Sequence, residues 1–162
     1  MNKPAARISA LSLSILLFAG CATTSVTSVD SPLQAQAMTL LEQGKPREAA
    51  QQLEALASQQ RGGARANLLA DAAFAWHDAG DDARARELLA QVQPRQLTGS
   101  SRQRHQLLQA ELALAAQQPA QALQALAGTT DDTVAPALAA RWHLARAKAL
   151  EATGDNFGAA QA

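Results

Sequence analysis

The sequence predicts an all-α domain in which helix–turn–helix pairs repeat along the chain and stack into a short α-solenoid. Three observations lead there. Alanine, leucine and glutamine dominate, and no long β-branched stretch competes with them, so intrinsic preference favours helix over strand. Apolar residues recur at three- and four-residue spacing in one segment after another. Turn residues Gly44, Gly80, Gln117 and Gly154 stand 36, 37 and 37 residues apart, and a fixed period of this length marks stacked helical units. Residues 1–20 read as a leader, 21–30 as a flexible tether and 31–162 as the repeat domain.

The leader opens with a short positive stretch, Met1 to Arg7, charged at Lys3 and Arg7. An apolar run, Ile8 to Ala19, follows, broken only by Ser9, Ser12 and Ser14. This is the pattern of a secretory signal peptide, too short for a bilayer that needs about 20 residues. It ends in Leu17-Phe18-Ala19-Gly20-Cys21, small residues before the only cysteine of the chain. That ending resembles the bacterial lipobox, in which the cysteine is cut free and acylated, and Phe18 departs from its usual leucine. An acylated Cys21 would hold the protein firmly, since stable anchoring takes two or more buried chains. Ala22 stands where an aspartate would resemble an inner-membrane retention signal, so the expected location is the periplasmic face of the outer membrane.

Removing Lys3 and Arg7 leaves 12 basic residues against 14 acidic ones, a mature chain near −2. No clustered basic face recommends nucleic acid as a partner. Ala22 to Val29 is rich in threonine, serine and valine and has no helical period. Order begins at Ser31-Pro32-Leu33-Gln34, with Ser31 suited to an N-cap, Pro32 to the first helical position and Gln34 to the capping box. The first helix is expected to reach Gln43, where Gly44-Lys45-Pro46 turns the chain. Its partner runs to about Gln60 on Ala49, Ala50, Leu53, Leu56 and Ala57. Next come Asn67 to Ala79, stopped by Gly80-Asp81-Asp82, and Ala83 to Val92, closed by Pro94. Ser101 to Ala116 turns at Gln117-Gln118-Pro119 into a helix carrying Ala122, Leu123 and Leu126, ended by Gly128. Pro136 to Thr153 stops at Gly154-Asp155, and a last helix begins around Phe157 and Ala159.

Five positions after each turn lies an alanine, Ala49, Ala85, Ala122 and Ala159. Nine positions after the first three turns lies a leucine, Leu53, Leu89 and Leu126. A small residue at the closest helix contact is needed because a larger one forces the pair apart, at about 1–3 kcal/mol. The pattern resembles the tetratricopeptide repeat, with Ala73, Ala110 and Ala147 at its small first-helix position and Trp76 at a large apolar one.

Catalytic chemistry is thin. His77, His105 and His143 have no ligand partner at metal spacing, no serine sits in a nucleophile elbow, and no glycine-rich phosphate loop is present. Asp81-Asp82 and Asp131-Asp132 read as helix-start carboxylates. No enzyme, metal or cofactor is expected. Arg95, Arg102 and Arg104 gather around Leu97-Thr98-Gly99-Ser100, either as solvated loop charge or as a contact for a partner or anionic cell-wall polymer. Stacked repeats bind through the face of their first helices, which offers Asn67, Phe74 and His77, then Arg104, Leu107 and Glu111, then Arg141, Leu144 and Lys148. Mixed charge beside apolar groups suits a protein segment better than a small molecule.

The order of lipobox, tether, Leu68-Leu69, Gly80, Ala85-Arg86-Glu87-Leu88-Leu89, Leu107-Leu108-Gln109-Ala110-Glu111-Leu112 and Ala140-Arg141-Trp142-His143-Leu144-Ala145-Arg146-Ala147 resembles the N-terminal region of the LpoA lipoproteins. These are outer-membrane activators of penicillin-binding proteins. The resemblance implies a class A penicillin-binding protein as partner, with this region serving as anchor, spacer and scaffold in peptidoglycan synthesis. That family also carries a large C-terminal domain similar to periplasmic binding proteins, so the chain, stopping inside a repeat, reads either as a fragment or as a truncated product. Two other functions fit the same plan. One is a repeat lipoprotein scaffold for outer-membrane protein assembly or pilus biogenesis, where more tyrosine would be expected at helix contacts. The other is the anchor region of a larger lipoprotein enzyme.

Overall fold

The computed structural model describes residues 32–161, so the leader, Cys21, the tether and the Ser31 N-cap lie outside the described residues. Eight α-helices follow in order: α1 Pro32–Glu42, α2 Pro46–Ser58, α3 Gly62–Asp78, α4 Asp82–Leu89, α5 Gly99–Ala115, α6 Pro119–Leu126, α7 Pro136–Thr153 and α8 Asn156–Gln161. Short 3₁₀ turns occupy Pro94–Gln96 and Asp131–Thr133, and no strand occurs among the described residues. Each helix of a pair packs on its partner, and first helices also pack on one another, α3 on α5 and α5 on α7. The architecture is all-helical and consistent with an α-solenoid.

The turns are built alike. Gly44, Gly80, Gln117 and Gly154 all have left-handed backbones, with φ of 74°, 80°, 58° and 87°. Each makes the paired bonds of a Schellman cap. Lys45, Asp81, Gln118 and Asp155 donate their N–H to Leu40, Trp76, Ala113 and Leu150 carbonyls at 2.8–2.9 Å, and each turn residue donates to the carbonyl three before it. Pro46, Pro119 and Pro136 open helices at a position whose N–H has no intrahelical use. Asp81 caps α4 by accepting from the Arg84 N–H at 3.0 Å. Asp131 and Asp132 instead enter the second 3₁₀ turn, and Ala135 precedes α7.

Gln117 is the one non-glycine described residue with positive φ, which strains an L side chain by about 1–2 kcal/mol. Gln117→Gly is therefore expected to stabilise the protein by roughly 1 kcal/mol, after the entropy cost of a more flexible unfolded chain. Urea unfolding checks this, and an unchanged or lowered midpoint would refute it.

Alanines make the closest approaches. Ala49, Ala85 and Ala122, five residues past their turns, are fully buried, as are Ala73 and Ala110 on the first helices. Between them pack Leu53, Leu88, Leu107, Leu108 and Trp142, all essentially without solvent contact. Two boundaries differ from expectation by three residues or more. Helix α3 starts at Gly62 rather than near Asn67, because the backbone at Gly63 passes close to the 3₁₀ turn; a Cβ there would lie 3.3 Å from the Gln96 carbonyl. Helix α4 stops at Leu89, ahead of Val92, because Val92 and Leu97 of the following link turn into the core.

Candidate partner-binding groove

Three first helices set the groove. At about 3.6 residues per turn, Phe74 and His77 of α3 share a face, as do Arg104, Leu107 and Glu111 of α5 and Arg141, Leu144 and Lys148 of α7. The structure brings most of them into two ionic clusters.

The inner cluster surrounds Asp71, a carboxylate with no solvent exposure. It accepts hydrogen bonds from Ser101 Oγ at 3.0 Å, Arg104 Nη1 at 3.1 Å and Gln34 Nε2 at 3.2 Å, so one acid joins α1, α3 and α5. Burial dominates and holds its pKa above the ordinary aspartate value, against the opposing pull of Arg104 and the hydrogen bonds.

The outer cluster lines a cavity of about 500 Å³ between α3, α5 and α7. Arg141 forks onto Glu111, with Nε donating at 3.0 Å and Nη2 at 2.6 Å, while Nη1 donates to Asp78 at 2.7 Å. Its guanidinium also sits 4.5 Å above the Phe74 ring. His77 lies between two carboxylates, Nδ1 at 2.6 Å from Asp82 and Nε2 at 3.3 Å from Glu111. The Glu111 bond is the largest influence raising the His77 pKa; burial opposes it and Asp82 adds to it. For Glu111 itself burial acts upward most strongly, but the bonds and charges of His77 and Arg141 together hold it below the usual range. Lys148 and Leu144 border the same cavity, and Leu144 is 53 % exposed. The result is an open, charge-lined slot with Leu114 and Leu144 among its lining.

Other expected residues are placed differently. Phe74 is buried beneath Arg141, Arg104 is turned inward to Asp71, and Leu107 is fully buried. Asn67 clamps the link before α5, its Nδ2 donating to Thr98 Oγ1 at 3.0 Å and its Oδ1 accepting from the Thr98 N–H at 3.1 Å. Gln103 does the same one unit later, its Oε1 accepting from the Ala135 N–H at 2.9 Å. Asp71, Asp78 and Asp82 were not singled out by sequence as parts of the groove. A signal exists: Glu111–Arg141 and Glu54–Arg84 are both acid–base pairs 30 residues apart. Among the described residues no group of His, Cys, Asp and Glu could hold a metal ion, and no helix is long and apolar enough to cross a membrane. No protein-family model matches this chain, and no curated protein or solved structure matches it either.

Proposed function

We propose that this chain is an outer-membrane lipoprotein, anchored through Cys21, whose tetratricopeptide-like repeats hold a class A penicillin-binding protein and so regulate peptidoglycan synthesis. The lipobox and tether supply the anchor and reach, the helix pairs supply a stiff spacer, and the slot between α3, α5 and α7 supplies the contact. The observation that carries the reading is the meeting of His77, Glu111, Arg141, Leu144 and Lys148 in that slot, on three successive first helices. Four Schellman turns at near-equal spacing and the repeated Asn67 and Gln103 clamps support the solenoid part of it. The partner itself is supplied by the sequence resemblance.

The test is a pull-down of the full chain from detergent-solubilised envelope, with penicillin-binding proteins marked by a fluorescent β-lactam. The wild type is expected to recover a labelled class A enzyme. Lys148→Glu, an exposed charge reversal at the cavity rim, is expected to lower recovery roughly tenfold, as loss of one charged contact would. Recovery of outer-membrane assembly or pilus proteins in its place would sink the proposal and favour the general scaffold.

A further inference from the structure

A second opening lies on the other side of α5. Residues 59–61 link α2 to α3, but residues 90–98 separate α4 from α5. The longer link folds its 3₁₀ turn and buries Val92 and Leu97, so α4 packs on α3 while a groove of about 750 Å³ opens between α4, the link, α5 and α6. Its residues on α5, among them Arg102, His105 and Gln109, are turned away from Glu111 by about half the helix circumference.

The lining is specific in three ways. No acid borders the groove, whereas Arg102 does, and so does Arg86, which is held only loosely by Asp82 at 3.9 Å and is more than half exposed. Arg102 is held in place by Nε and Nη2 donating to the Leu97 carbonyl at 2.9 and 2.5 Å, which leaves Nη1 uncommitted. His105 is only 4 % exposed, borders the groove, and has no hydrogen-bond partner among the described residues. Burial lowers its pKa, so near neutral pH the ring keeps one donor and one acceptor open. Neither ring nitrogen is sealed from solvent, so the groove gives a ligand access to both. Finally, Gln109, Gln121 and Gln124 border the groove with side-chain amides that bond to no described residue. An amide donates and accepts at once, as a peptide main chain requires, and Leu89 and Leu112 lie alongside for apolar side chains. Apart from His105 no aromatic ring lines the groove, so nucleobases would have no stacking platform.

We propose that this groove binds an extended acidic peptide segment, its main chain held by His105 and the glutamine amides and its carboxylates by Arg86 and Arg102. The site is separate from the slot at Glu111, and it stands whether or not that slot holds a penicillin-binding protein.

The test uses the full chain in detergent and a short fluorescein-labelled peptide of alternating leucine and glutamate, read by fluorescence anisotropy and by hydrogen exchange. Saturable binding is expected, with slowed exchange in α4, the link and the facing turns of α5 and α6. Arg86→Glu, on an exposed side chain, and His105→Phe, which keeps the ring's bulk, are each expected to weaken binding roughly tenfold, with circular-dichroism melts confirming the fold. Equal binding of the lysine-for-glutamate peptide would overturn the proposal. So would binding of a hyaluronan oligosaccharide in place of the peptide, protection confined to the Glu111 slot, or no binding at all.

Discussion

Asp71→Ala is expected to remove about 3–5 kcal/mol of stability, the usual consequence of breaking a buried ion pair from one side. The change would leave Arg104, whose side chain is only 15 % exposed, without its carboxylate, and Ser101 without its acceptor. The cause would be the stranded charge rather than a lost attraction, and two further variants separate these. Asp71→Leu combined with Arg104→Leu removes both charges and is expected to recover most of the loss, because an apolar pair avoids the desolvation cost. Asp71→Asn keeps the shape and is expected to fall between. Urea unfolding of the three variants reads the order directly. A double variant no better than Asp71→Ala would show that Asp71 acts by shape. The acid also has a pH signature. Its raised pKa means the folded state binds a proton more readily than the unfolded one, so this group's contribution to stability falls as pH rises from its ordinary value of 3.8 through the folded value.

Glu111→Ala has the second-largest expected effect, about 1.5–3 kcal/mol, because a charge-assisted fork to Arg141 is lost from a largely buried carboxylate. Its pH dependence is distinctive because the two partners shift in opposite directions. His77 is raised, so its contribution is complete below its unfolded value of 6.5 and is lost as pH rises through the folded value. Glu111 is depressed, so its contribution is complete above its unfolded value of 4.5 and is lost as pH falls through the folded one. The cluster is therefore strongest between those two limits. With Glu111 removed, the largest influence on His77 goes with it, leaving Asp82. An NMR titration of the His77 ring is expected to move toward the ordinary histidine value in the variant. An unmoved titration would show that Asp82 alone sets it.

Much of the helical plan is legible along the chain because its determinants are local. A left-handed residue, a carbonyl three to five positions back and a proline at the next helix start all lie within a few residues. That is why Gly44, Gly80 and Gly154 could be placed, and why Gln117 takes the same turn without being glycine. The alanines and leucines at constant distance from each turn then follow from the period. Where tertiary contact competes, the local signal loses: Gly63 is a poor helix former, yet it lies in the first turn of α3 where that helix meets the 3₁₀ turn.

The groove divides along the same line. First-helix spacing was enough to group Phe74, His77, Glu111, Arg141 and Lys148 on one side, because periodicity assigns residues to a face. It could not say that Arg104 turns inward to a buried Asp71, that Asn67 clamps the next link, or that His105 borders a second groove without a partner. Those outcomes depend on the rotation of each helix about its axis and on the length of the links between pairs. Sequence by itself determined where the helices turn, through bonds closed within a few residues. Only the tertiary structure decided which charges are buried together, because those contacts join residues 30 or more positions apart and form only when whole helices are packed.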